Sequence, residues 1–240
     1  MSIAKEQREK LIWEFPNIGK KAPEQEEKAF AYCEGYKEFL NAAKTEREFV
    51  REAVLRLKEA GYEEFEEGKI YQPGDKVYQI NRKKALLMST FGKRPLEDGV
   101  RINVADIDSP GLDLKPNPLH EATDLSYFKT HYYGGIRKYQ WATIPLAMHG
   151  VVILKDGTSM DICIGEKEGD PVFCVTDLLP HLAAQQNERK LKDGIKGEEL
   201  NIIVGSLPYP CEEEDSIKEP VKLLALSLLN ERFGMTEKDF

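Results

Sequence analysis

Val100-Arg101-Ile102-Asn103-Val104-Ala105-Asp106-Ile107-Asp108-Ser109-Pro110-Gly111-Leu112-Asp113-Leu114-Lys115-Pro116-Asn117-Pro118 is the hinge of this sequence. Its first five residues alternate apolar and polar, the period of a half-buried strand. Asp106 and Asp108 follow two residues apart, so on a strand they share a face and repel if both ionise. Residues 109–118 carry three prolines and predict an extended connection. The period is helical over residues 1–70, turns to that of strands from Gly74, and stays mostly that of strands downstream of this stretch. The chain therefore reads as α/β in two parts.

Working outward toward the amino terminus, residues 1–70 are helical and acidic. One helix is expected over 24–42, with Phe30, Cys33, Phe39 and Leu40 near helical spacing. A second opens at Thr45, where Thr45 and Glu48 form a capping box. Phe49, Val50, Ala53, Val54 and Leu57 make its apolar face, and Gly61 closes it. Short strands are expected at 77–80 and 84–88. Toward the carboxy terminus, residues 127–204 are β-rich. Runs at 144–154 and 159–164 flank Lys155-Asp156-Gly157, a hairpin signal. A short helix is expected over 177–186 and a strand over 201–204. A last helix starts near Ser216, with Glu219 three residues on and Pro220 in its first turn. Gly234 ends it. The run Glu212-Glu213-Glu214-Asp215 reads as a solvated loop that favours the following helix dipole.

Composition narrows the class. The 240 residues are 41% hydrophobic and 32% charged, which suits a soluble globular chain. Lys plus Arg is 34 against 42 Asp plus Glu, and a net charge of −8 argues against sequence-independent nucleic-acid binding. No stretch approaches the roughly 20 apolar residues of a membrane span, and the amino terminus shows no secretory signal. Cys33, Cys163, Cys174 and Cys211 are far apart and read as reduced, mostly buried thiols in a cytoplasmic protein. Phosphate-binding glycine motifs and a G-x-S-x-G elbow are absent. His120-Glu121-Ala122-Thr123-Asp124 has the outline of a zinc helix motif, but Pro116 and Pro118 before it predict a loop. His120, His131, His149 and His181 are widely spaced and read singly as surface or satisfied core residues.

Four blocks in order give a sharper expectation. They are the segment 105–118; Tyr133-Gly134-Gly135 with Trp141 and Pro145-Leu146-Ala147; Asp177-Leu178-Leu179-Pro180-His181-Leu182-Ala183; and the Thr45 helix followed by Gly74-Asp75-Lys76-Val77-Tyr78. Together they resemble the aspartyl aminopeptidase/aminopeptidase I family of zinc metallopeptidases. That resemblance implies residues 1–115 as the amino-terminal part of a catalytic domain. Residues 116–215 become an inserted β-rich dimerisation domain, and 216–240 a connecting helix. It implies a cytosolic enzyme that removes single residues from the amino termini of peptide substrates and assembles as a homo-oligomer through the insert. Two metal ions, usually zinc, share a bridging water in such enzymes, and a glutamate is the general base.

The resemblance also assigns residues. Asp108 matches the carboxylate of a His-x-Asp motif that orients a metal-bound imidazole. Asp106 stands at the histidine ligand's place; it can offer oxygen to a metal but is shorter and adds negative charge. Two solvated carboxylates at a strand end are the alternative. His181, with Tyr133, Gly134 and Gly135, falls near the dimer contact and a partner's site; His181 also reads as a helix-start histidine, and the paired glycines as a tight bend. The family's remaining ligands, including a Glu-Glu pair, follow the insert, and no pair in that context occurs here. The expectation is a metal-dependent aminopeptidase represented by its amino-terminal half and inactive alone. A non-catalytic assembly or regulatory subunit, or a truncated gene product, is the alternative.

Overall fold

The structure is a computed structural model, and it describes residues 3–13, 17, 19, 22–211 and 217–239. The acidic run at 212–215 and Ser216 lie outside the described residues. The chain divides into two compact units, Met1–Ile107 and Asp108–Phe240.

The first unit carries helices α1 (Ile3–Leu11), α2 (Pro23–Ala42) and α3 (Glu46–Glu59), then strands β1 (Glu63–Glu64), β2 (Lys76–Asn81) and β3 (Ala85–Thr90). The capping box forms at α3. Thr45 Oγ1 accepts from Glu48 N at 3.3 Å, and Glu48 Oε2 accepts from Thr45 N at 3.0 Å. Both bonds satisfy amides that a helix start leaves without partners. Val50 is buried where α3 lies against β2 and β3. Phe39, near the end of α2, meets Phe49 edge-on at 5.0 Å. Phe30, Tyr32, Tyr36 and Leu40 of α2 stay exposed, so the expected apolar face is covered only near its end.

β1 runs parallel to β2, and β2 antiparallel to β3. Arg82 and Lys83 both take positive φ in the β2–β3 turn, the tight mirror-image turn that suits strand twist. The strand expected over 100–104 does not form. No described strand pairs with these residues, and an alternating sequence becomes a strand only where a neighbour completes its hydrogen bonds. Val100, Ile102 and Val104 are left 61%, 75% and 89% exposed.

The second unit is built on an antiparallel sheet in the order β4-β5-β9-β8. Its strands are β4 (Gly111–Ala122), β5 (Leu125–Tyr133), β8 (Cys174–Val175) and β9 (Ile202–Gly205); β6 (Met148–Ile153) and β7 (Ser159–Ile164) form a separate hairpin. The extended connection expected over 109–118 is in fact mostly β4. Its prolines are tolerated because β4 is an edge strand and its register with β5 breaks between Leu114 and Leu119. The His120–Asp124 pentapeptide is the end of β4 plus a turn, with Thr123 and Asp124 at positive φ, and not a loop. His120 stacks on Tyr127 with ring centroids 5.4 Å apart.

Ser126, Phe128 and Thr130 alternate inward along β5 and are all buried. Phe128 joins Leu119, Phe173, Val175, Leu200 and Ile202 in the core. The helix expected over 177–186 shrinks to α4 (Ala184–Asn187). Asp177 instead binds the Leu178 amide and the Gln186 side chain through Oδ1, closing a non-helical turn.

The final helix, α5 (Pro220–Phe233), begins at Pro220, not near Ser216. Glu219 precedes it in the left-handed region and does not cap it with its side chain. Glu121 of β4 supplies the carboxylate, accepting from Lys222 N at 2.8 Å. Val221 and Ala225 are buried, and α5 packs on β4, β5 and β9 within the second unit. Gly234 ends it at φ 67°. None of the four cysteines is buried, against expectation: Cys33 and Cys211 are exposed, Cys163 and Cys174 half-buried, and all four are free thiols.

Candidate functional site

Asp106 is the next-to-last residue of the first unit, on the extended segment that pairs with no described strand, and its side chain is exposed. Asp108 opens the second unit. The Tyr133 hydroxyl donates to Asp108 Oδ2 at 2.6 Å. This contact follows from strand pairing. Gly111 sits opposite Tyr133 and Leu112 opposite Tyr132, so the start of β4 and the end of β5 are side by side. Gly134 then turns the chain at φ 74°, and a Cβ there would stand 3.3–3.4 Å from Pro110. Glycine is needed at 134 for its dihedral and for that approach. Asp108, Pro110, Tyr133 and Gly134 thus form one small cluster. Gly135 has open space around its Cα and carries no comparable constraint.

The strand continues the pattern outward. Lys129, His131 and Tyr133 alternate with the buried residues of β5. Beside them Lys115 donates to Glu198 Oε2 at 2.6 Å. That bond, more than its charge alone, holds the Glu198 carboxyl below its ordinary range, with His131 and Lys129 adding to it. His181 lies elsewhere, exposed in the turn before α4 among exposed Leu178, Leu179 and Leu182. Tyr133 is joined to Asp108, a contact the sequence reading did not include. The signal for that pairing lies in the hairpin alone. Once β4 and β5 are joined at Thr123-Asp124, Asp108 and Tyr133 fall at the same open end.

Zinc can be tested against these side chains. No group of three or more His, Cys, Asp or Glu side chains able to hold a metal gathers among the described residues. One Asp108 oxygen is engaged by a phenol, and Asp106 offers a carboxylate where the resemblance places an imidazole. Structural and catalytic zinc sites take three or four protein ligands. The described residues alone do not fit the group.

A sequence profile of the Aminopeptidase I zinc metalloprotease (M18) family matches residues 39–240. The chain is 47% identical over 235 residues to a "Probable M18 family aminopeptidase 1" of Clostridium acetobutylicum, covering 96% of this chain and 50% of that relative. The crystal structure of an M18-family aminopeptidase from Thermotoga maritima superposes with a TM-score of 0.84 at 42% identity, covering 95% of this chain and 49% of that one. The S. cerevisiae mApe1 dodecamer shares the fold at 18% identity and a TM-score of 0.58, covering 86% of this chain and 45% of that one. The chain thus spans about half the length of the curated relatives it matches. With its mixed α/β architecture and a profile match over most of its length, the chain belongs to the M18 family of aminopeptidase I zinc metalloproteases.

Proposed function

We propose that this protein acts as a metal-dependent aminopeptidase, hydrolysing single residues from the amino termini of peptides in the cytoplasm. The observation that supports this is sequence identity of 41–47% to bacterial M18 aminopeptidases over 88–96% of the chain. The first unit contributes part of the catalytic domain. The second is the β-rich element through which copies pair, in keeping with the dodecamer formed by the more distant yeast relative. Asp108 is the carboxylate carried over as an orienting group.

Family chemistry rests on zinc, and hydrolysis by a metal-bound water needs ligands that the described residues do not gather. These 240 residues alone are therefore expected not to release product from aminoacyl anilides supplied with zinc, cobalt or manganese. Co-expression with the carboxy-terminal half of the Clostridium relative is expected to bring activity that a chelator removes. Chelator-sensitive turnover by the chain alone at rates like the full-length relative's would overturn the first expectation. Inactivity of the verified mixed complex would overturn the reading as an aminopeptidase.

Asp106 favours a second reading, an assembly or regulatory subunit without catalysis. An aspartate at the ligand position fits a chain released from the demand to hold metal.

A further inference from the structure

Two short segments of the second unit, Asp108-Ser109-Pro110 and Tyr133-Gly134, meet at one end of the β4–β5 hairpin. We propose that Tyr133 is the positioning residue of Asp108: its hydroxyl fixes the carboxylate's rotamer and commits Oδ2, leaving Oδ1 as the oxygen turned to other work. The inference rests on the aminopeptidase reading only for the importance it gives to position 108.

Three features support it. The 2.6 Å separation is short, as expected when a hydroxyl donates to an ionised carboxylate. The ladder pair Gly111–Tyr133 holds the two backbones in a fixed register, so the phenol needs no search to find its acceptor. Gly134 turns the chain immediately after Tyr133 and lets Pro110 close against it, which braces both ends of the contact. Among the described residues Asp106 has no such brace. It lies on the exposed stretch before Asp108, so the fixed carboxylate is the one at 108.

The test uses the 240-residue chain with neither metal nor substrate, so its result stands whether or not the aminopeptidase reading does. Amide exchange at residues 111–113 reports fraying of the start of β4. Tyr133→Phe, which deletes one oxygen, is expected to speed that exchange about tenfold, the order expected of one charge-assisted hydrogen bond. Asp108→Ala should do the same, and the double variant no more than either alone. Asp108→Asn keeps an acceptor and should recover part of the protection. In a chain labelled with ¹³C at tyrosine Cζ, Asp108→Asn is expected to move the Tyr133 resonance, and Asp106→Asn to leave it in place. Unchanged exchange in Tyr133→Phe, additive effects in the double variant, or a Tyr133 resonance indifferent to Asp108 would each overturn the assignment.

Discussion

At the scale of single residues, Gly134 is the most constrained position near the candidate site. Its φ of 74° is costly for a residue with a Cβ, and a Cβ there would sit 3.3–3.4 Å from Pro110, close enough that the proline ring must give way slightly. Gly134→Ala is expected to destabilise the second unit by about 1–3 kcal/mol, read as a lower midpoint in urea unfolding. Gly135→Ala, with open space around it and no positive φ, should shift the midpoint far less. Equal shifts would mean that neither the positive φ nor the close approach to Pro110 matters at 134. The sequence shows two adjacent glycines and no difference between them. Their inequality arises from β4, which brings Pro110 against only one.

Elements differ in how far local sequence determines them. The capping box of α3 and the Lys155-Asp156-Gly157 turn were legible because every bond in them spans a few residues. Residues 100–104 were not, since alternation fits a strand but cannot supply its neighbour. The start of α5 was misplaced for a related reason. Its capping carboxylate, Glu121, lies 101 residues upstream and becomes available only when the sheet has formed. The far end of α5 is tied in the same long-range way. Arg232 donates to Asp170 Oδ1 at 3.2 Å, while Asp170 Oδ2 accepts from the Gly165 and Lys167 amides.

The Gly165 amide, more than Arg232, holds the Asp170 carboxyl below its ordinary range. A carboxylate with a depressed folded value stabilises the fold fully above its unfolded value, near 3.9, and loses that contribution as pH falls through the folded value. Unfolding followed from pH 6 down to pH 2 should therefore show acid destabilisation that is shallower in Asp170→Asn. Identical pH slopes in the two proteins would remove Asp170 as a source of acid sensitivity.

At the scale of the molecule, charge is unevenly shared. Residues 1–107 hold 20 basic and 20 acidic side chains, whereas 108–240 hold 14 and 22, so the second unit accounts for the whole net charge of −8. The neutral unit is also the one that leaves Val100, Ile102 and Val104 in water. Low net charge with exposed apolar surface promotes association. Light scattering of the chain is expected to show mass growing with concentration, and Ile102→Lys with Val104→Lys should remove the growth and leave a defined oligomer. Mixing with the full-length Thermotoga relative should give a joint species. A chain that is strictly monomeric and never joins that relative would overturn both the pairing role of the second unit and the assembly-subunit reading. The fold class was legible in the sequence as a whole. The meeting of Asp108 with Tyr133 was not, because it depends on how a twelve-residue strand pairs across a turn of two non-glycine residues.

The prolines of β4 also decide where this protein can be extended by another chain. Pro116 and Pro118 lie in the stretch where β4 is out of register with β5, and each lacks an amide hydrogen. An incoming strand seeking to lie along that margin would find too few donors to build a continuous ladder. β3 has no proline between Ala85 and Thr90, and Leu87 and Met88 stand exposed on it. Strand addition along β4 is thus interrupted at its prolines, whereas the open side of β3 carries no such interruption.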